Sequence, residues 1–188
     1  MTADDTLIGK LLVATPVTGG DFERSVVVVL AHSSDGSQGV VLNDPLGAEV
    51  DAVLPHWQSV VVQPPLLYQG GPVGTDAAMG LAWVPEATDD DDLIGLHPAL
   101  PEICLVDLDA PVEIVAGGAE AIRLFVGYAG WSDGQLEDEI AEGAWFVVDL
   151  EPADVFRSDS TALWRDVLAR QRNSMSLVTT YTDTPEAN

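Results

Sequence analysis

Apolar residues come in short blocks separated by turn residues, and the blocks set the expected elements. Leu7, Ile8 and residues 11–14 open the pattern, which Thr15, Pro16 and the Gly19-Gly20 turn interrupt. Residues 25–32 carry an unbroken β-branched and leucine run from Val26 to Leu30, which predicts a buried strand. Ser33, Ser34, Asp35, Gly36 and Ser37 form a turn by composition. Gly39, Val40, Val41, Leu42 and Asn43 predict a second short strand, stopped by Asp44 and Pro45. Strand, short loop and strand make a hairpin, so the sheet is at least partly antiparallel.

Leu46, Val50, Val53, Leu54 and Trp57 repeat at helical spacing, which predicts a helix from residue 46 that Pro55 ends at about Leu54. A strand over 66–69 feeds Gly70-Gly71-Pro72-Val73. Further strands are expected at 77–84, 102–108, 111–115, 121–128 and 144–149, and a charged loop at Asp89–Asp92. Ser132 and Gln135 have capping-box spacing ahead of a helix over 133–142, with Leu136 and Ile140 on one face. Asp159 or Ser160 caps a last helix, 161–171, with Leu163, Trp164, Val167 and Leu168 as its apolar stripe. Residues 1–5 form an acidic lead and residues 171–188 a C-terminal tail. Strands outnumber helices, about nine to three, and do not alternate with them. The expectation is an α+β fold: a single domain over 1–188, core about 7–170, with a mixed, largely antiparallel, curled sheet.

Charge narrows the partners. The 188 residues hold 7 Lys+Arg against 31 Asp+Glu, a net charge of −24. Phosphate backbones and anionic membranes need clustered cations, so neither direct nucleic-acid contact nor membrane contact is expected. The 47% apolar content suffices for a core and argues against disorder. A single cysteine forbids an internal disulfide and a CxxC zinc site. No apolar run is long enough to span a bilayer, and the acidic start differs from a secretory leader, which points to the cytoplasm.

Familiar catalytic patterns are missing. There is no phosphate loop, no GxGxxG, no HExxH and no GxSxG elbow. His32, His56 and His97 share no ligand spacing, and no metal or cofactor is expected. Cys104 sits in an apolar strand, where thiols are packing groups. The Asp89–Asp92 run lacks the ligand alternation of a calcium loop.

Two segments remain. Gly70, Gly71 and Pro72 follow a strand, and paired glycines let a backbone approach something closely. Residues 127–139 run from a strand through a glycine turn into a helix, with Trp131 as a large indole among small residues. The two segments are expected side by side, lining the main concave surface, with Trp131 as its floor or as a stacking platform. The candidate binding residues are Asn43, Gly70, Gly71, Pro72, Gly130, Trp131, Gln135 and Glu139.

These same blocks resemble the YqgE/AlgH family of bacterial proteins. Gly127-Tyr128-Ala129-Gly130-Trp131 with Gly134-Gln135-Leu136-Glu137 and Glu139 looks like the family signature. Phe22 to Val27 with His32 and Gly36, Gly39 to Asn43 with Pro45-Leu46, and the Gly70–Val73 turn agree in order. Ser132 and Asp133 depart from the usual small apolar residues, and the histidine often found after the GGPV turn is absent. The resemblance implies an α+β fold around a barrel-like sheet. The family has no established enzyme activity and supplies no catalytic residues; some members are labelled transcriptional regulators.

Three functions follow as expectations. The first is a non-enzymatic binding or regulatory module acting through a small ligand or protein partner, with any effect on transcription indirect. The second is a hydrolase or transferase using Ser25, His32, Asp35 or the Glu137/Glu139 pair, although positions 137 and 139 differ by about 200° around a helix. The third, a DNA-binding regulator, conflicts with the charge and with the lack of a helix-turn-helix pattern.

Overall fold

The structure, a computed structural model, describes residues 7–85 and 93–171. Asp89–Asp92 and the two ends, 1–6 and 172–188, lie outside the described residues. One ten-stranded sheet organises the rest. Its main path begins with β10 (Trp145–Asp149), β1 (Lys10–Ala14), β2 (Val26–Ser33) and β3 (Gly36–Val41). It continues through β9 (Ala121–Trp131), β6 (Val73–Trp83), β8 (Ile103–Val106) and β7 (Leu96–Leu100). Off that path, β4 (Pro45–Glu49) pairs with β5 (Leu66–Gln69), and β5 lies parallel to β9. Every other pairing is antiparallel. The fold is therefore α+β with a curled, mixed and mainly antiparallel sheet.

The valine run of β2 explains how this sheet is held. Val26 and Val28 face one core, with Leu11, Val13, Val40 and Leu42. Val27 and Val29 face another, with Leu12, Ala14 and Val41. Side chains alternate across a strand, so an unbroken apolar run needs cover on both faces. Helices α3 (Pro152–Phe156) and α4 (Leu163–Ala169) cover the first face through Val155, Phe156, Leu163, Trp164, Val167 and Leu168. Helix α2 (Gln135–Ala141), Trp131 and Trp145 cover the second. A third core, behind β6, β8 and β9, packs Val50, Trp57 and Val61 with Val115 of α1 (Val112–Gly118).

Arg123 ties β9 to α3. It is 2% exposed, lies 4.4 Å over the Tyr68 ring and donates to the carbonyls of Val155 and Arg157. A cation suits those orphaned carbonyls at a helix C-terminus. Burial lowers its pKa, with Tyr68 acting in the opposite direction. Arg170 joins α4 to α3, donating to both carboxylate oxygens of Asp154 at 2.7 and 2.8 Å.

Five local expectations change. Residues 46–54 do not form a helix: Gly47 takes φ +69, β4 pairs with β5, and single 3-10 turns follow at Val50–Ala52 and Pro55–Trp57. Leu46 and Val53 point outward at 43% and 57% exposure, so the helical stripe has no partner on that side. Residues 112–118 form a helix, not the strand expected at 111–115; Pro111, at φ −59, precedes its first turn. Ser132 does not cap α2. Gly134, at φ +71, holds that place, while the Gln135 side chain accepts from the Ser132 N–H at 3.0 Å. The described residues hold four α-helices, because the expected one at 46–54 is lost while α1 and α3 are gained; α3, one turn long, carries no readable period. Edge strand β7 was hidden by Pro98, which an edge tolerates.

Candidate functional site

The neighbour of β9 changes at one point along its length. Tyr68 and Gln69 of β5 pair in parallel with Phe125 and Val126, whereas Ser37, Gln38 and Gly39 of β3 pair with Trp131, Gly130 and Ala129. Gly70 and Gly71 fill the changeover. The Gly70 N–H donates to the Val126 carbonyl and its own carbonyl accepts from Val41 N–H, both at 2.8 Å. A Cβ on Gly70 would stand 2.3 Å from the Gly127 carbonyl oxygen, and one on Gly71 would stand 2.1 Å from the Tyr128 carbonyl carbon. Gly127, at φ +70, reciprocates: a Cβ there would meet the Gly71 oxygen at 2.6 Å. The adjoining strand β6 bulges between Val73 and Ala78 as β9 advances from Tyr128 to Val126. The two glycine segments thus lie side by side because three strands meet there with no room for side chains.

A cavity of about 300 Å³ opens at this junction, lined by Asp21, Phe22, Val41, Asp44, Gln69, Gly71 and Pro72. Asp21, Asp44 and Pro72 are exposed at the rim, and Gly71 is buried. Gln69 is fixed on both sides: its N–H donates to Asp44 O at 2.8 Å, and its amide nitrogen donates to the Gly71 carbonyl. The lining holds two carboxylates, one aromatic ring and no cation.

Trp131 stands behind that wall. It is 5% exposed and stacks on Phe22 with centroids 6.1 Å apart and planes at 21°. Trp145 meets both rings edge-on, at 5.7 Å from Phe22 and 6.1 Å from Trp131. Glu139 closes the group. One carboxylate oxygen accepts from Trp131 Nε1 at 2.9 Å and Trp145 Nε1 at 2.8 Å, and the other accepts from Gln135 Nε2 at 2.9 Å. Trp131, Gln135 and Glu139 therefore brace the cavity wall through Phe22 rather than line it. Gly130 is exposed beside Tyr128 and Val73. Asn43 faces a different cavity and bridges backbone, accepting from Val26 N–H at 2.8 Å and donating to Arg24 O at 3.0 Å.

The residues considered for catalysis are scattered. Ser25 and His32 stand near opposite ends of β2, about 20 Å apart at strand rise. His32 Nδ1 lies 2.7 Å from Ser37 Oγ, and its Nε2 lies 3.6 Å from Glu137 Oε1. Ser37 is 3% exposed and offers no oxygen to a substrate. Glu137 turns to His32 while Glu139 turns to the indoles, so the two carboxylates do not converge. Asp35 is exposed in the β2–β3 turn. Among the described residues no group of three or more His, Cys, Asp or Glu could hold a metal ion. No helix there is long and apolar enough to cross a membrane.

Sequence reasoning missed Asp21, Phe22, Asp44 and Gln69 as lining residues. Phe22 carried a signal, standing within a block that resembles the family pattern. Asp21 and Asp44 carried none, being two of many acids.

Comparison with known proteins agrees with this architecture. A family model described as AlgH-like matches residues 11–176. A UPF0301 protein of Streptomyces avermitilis is 46% identical over 190 residues, covering 100% of this chain and 98% of the relative. A UPF0301 protein of Mycobacterium tuberculosis is 39% identical, covering 92% of this chain and 86% of the relative. A crystal structure from Corynebacterium diphtheriae superposes with a TM-score of 0.86 at 32% identity, covering 96% and 100% of the two chains. The solution structure of the AlgH protein from Pseudomonas aeruginosa gives 0.68 at 26% identity, covering 98% and 97%.

Proposed function

We propose that this chain, which belongs to the AlgH-like family, is a cytoplasmic binding and regulatory module whose ligand seats in the cavity over Gly71 and Pro72. One observation carries the reading: a concave site stands at the meeting of three strands, with a wall braced by two buried indoles that share the half-buried Glu139 carboxylate. Rigid framing of this kind suits recognition, because little order must be gained on binding. Asp21 and Asp44 at the rim and the Phe22 ring favour a ligand with a cationic group beside a flat apolar part. The ligand is a small molecule or a side chain of a protein partner. Any effect on transcription passes through such a partner, since a chain of net charge −24 repels duplex phosphate.

The test is a titration with tyramine and its acidic counterpart, 4-hydroxyphenylacetate, followed by amide shifts at Phe22, Gln69 and Gly71. Tyramine is expected to shift those amides saturably, the acid is not, and Asp44→Asn is expected to weaken the response. Equal responses to both compounds, or an unchanged response in Asp44→Asn, would count against the site.

A further inference from the structure

Charge is segregated along this chain. No lysine or arginine lies between Arg24 and Arg123, so the strands from β2 to β8 and helix α1 contain neither. The arginines gather on the first core instead. Arg24 lies over Trp164, Arg123 binds the end of α3, and Arg157 and Arg170 pair with Asp166 and Asp154. The opposite side, where α1 and the 3-10 turns pack on the third core, holds carboxylates with no lysine or arginine among them.

That side also exposes aliphatic surface. Helix α1 lies against the start of β7: a Cβ on Gly95 would stand 2.8 Å from Val115 Cγ2, and one on Gly118 would stand 3.1 Å from Leu96 Cδ1. Ile94 directly precedes Gly95 and Ile114 directly precedes Val115, so the two isoleucines flank one close contact. They are 62% and 47% exposed. Half-buried Leu93 and Val112 pack on the same core and carry the apolar surface inward to Val115. Asp107, Asp109 and Glu113 stand exposed around this contact. Asp107 Oδ1 accepts from the Asp109 N–H at 2.9 Å, which tightens the turn ahead of α1. None of the three carboxylates makes an ion pair among the described residues.

We propose that the face made by Ile94, Ile114 and the turn before α1 docks a protein partner through a basic amphipathic segment. The segment's aliphatic side chains cover the two isoleucines, and its lysines or arginines meet Asp107, Asp109 and Glu113. Exposed apolar side chains inside a polar rim mark interaction surfaces, and helix-in-groove recognition uses this pairing of apolar contact with flanking charge. Charge complementarity selects the occupant. A second copy would bring the same carboxylates face to face, and an anionic membrane would be repelled by them. Exposed ion pairs add little singly, so the aliphatic contact fixes the position while the carboxylates raise the rate of encounter. This face is separate from the cavity at Gly71, and the failure of either reading leaves the other standing.

The full chain is titrated at physiological salt with a synthetic helical peptide of leucine and lysine, its leucines on one face. Two comparison peptides are used: the same composition scrambled so that no apolar face forms, and the patterned peptide with glutamate for lysine. Amide shifts are followed across the whole chain. Saturable shifts centred on Ile94, Glu113 and Ile114 are expected with the first peptide. The scrambled peptide should bind at least about 10-fold more weakly and the glutamate peptide should give no saturable shift. Ile114→Ser, an exposed substitution that leaves Val115 in place, should weaken binding about 5-fold or more with an unchanged urea midpoint. Ile94→Ser, outside the helix, should act alike. Glu113→Gln should weaken binding less and flatten its salt dependence. Shifts spread evenly over the acidic surface, equal binding of the scrambled peptide, or unchanged binding in both serine variants would overturn the proposal. So would self-association of the free chain that Ile114→Ser abolishes, because the occupant would then be a second copy.

Discussion

The Gly71 backbone passes so close to Tyr128 that a Cβ at position 71 would lie 2.1 Å from the Tyr128 carbonyl carbon. Backbone, not a movable side chain, occupies the space, and Gly71 also takes φ +153. Gly71→Ala is therefore expected to destabilise by at least about 2–3 kcal/mol, read as a lowered urea midpoint. Gly19→Ala, where nothing lies within 4 Å, should stay near wild type. Equal stability of the two variants would show that the strand junction relaxes freely.

Trp131 is expected to behave as a core residue. Trp131→Ala should cost about 3–5 kcal/mol, because it empties the stack with Phe22 and Trp145. Glu139→Ala should cost about 2–3 kcal/mol, since two indole N–H donors lose one shared acceptor. Because the two residues touch, the double variant should cost less than the sum. Chemical denaturation of all three variants checks this; a stable Trp131→Ala protein would return Trp131 to the role of ligand platform.

Arg123→Met is expected to loosen α3. The change leaves the Val155 and Arg157 carbonyls without their cation and should cost about 2–3 kcal/mol. Amide exchange should quicken over residues 152–157 more than in β2. Uniform protection across both segments would refute this role.

The acid limb of stability depends in part on Asp149. Its hydrogen bond and attraction to Lys10, at 2.6 Å, hold its pKa below the ordinary 3.8. The folded value is the lower one, so this contribution is present above the unfolded pKa and fades as pH falls through the folded pKa. Lys10→Met should thus be less stable than wild type near neutral pH, with the gap closing toward the acid end. Both groups are exposed, so the difference is small and salt-sensitive. A gap that widens on acidification would contradict the sign.

No shift of duplex DNA is expected in a mobility assay at physiological salt. The local pair Arg24 and Arg165 cannot offset a net charge of −24 along a phosphate backbone. A complex surviving competitor DNA would show otherwise.

Strand β2 could be read from sequence because five successive β-branched or leucine side chains satisfy a sheet buried on both faces and little else. The β2–β3 hairpin followed from the Asp35-Gly36 turn, and α4 from its apolar stripe, since both depend on near neighbours. The adjacency of Gly70–Gly71 and residues 127–129 was also legible, because side-chain-free backbone has few uses besides close approach. Other features depended on partners distant in the chain. Leu46 to Trp57 has a helical period, yet pairing of Pro45 with Tyr68 and the left-handed Gly47 made its first part a strand. Phe22 became a cavity wall only because Trp131, more than a hundred residues later, stacks behind it. His32 found Ser37 instead of Ser25 because the hairpin folds residue 37 back across from it. Local steric preference is written in adjacent residues; which polar group meets which across the sheet is settled by packing, and packing exists only once the strands have paired.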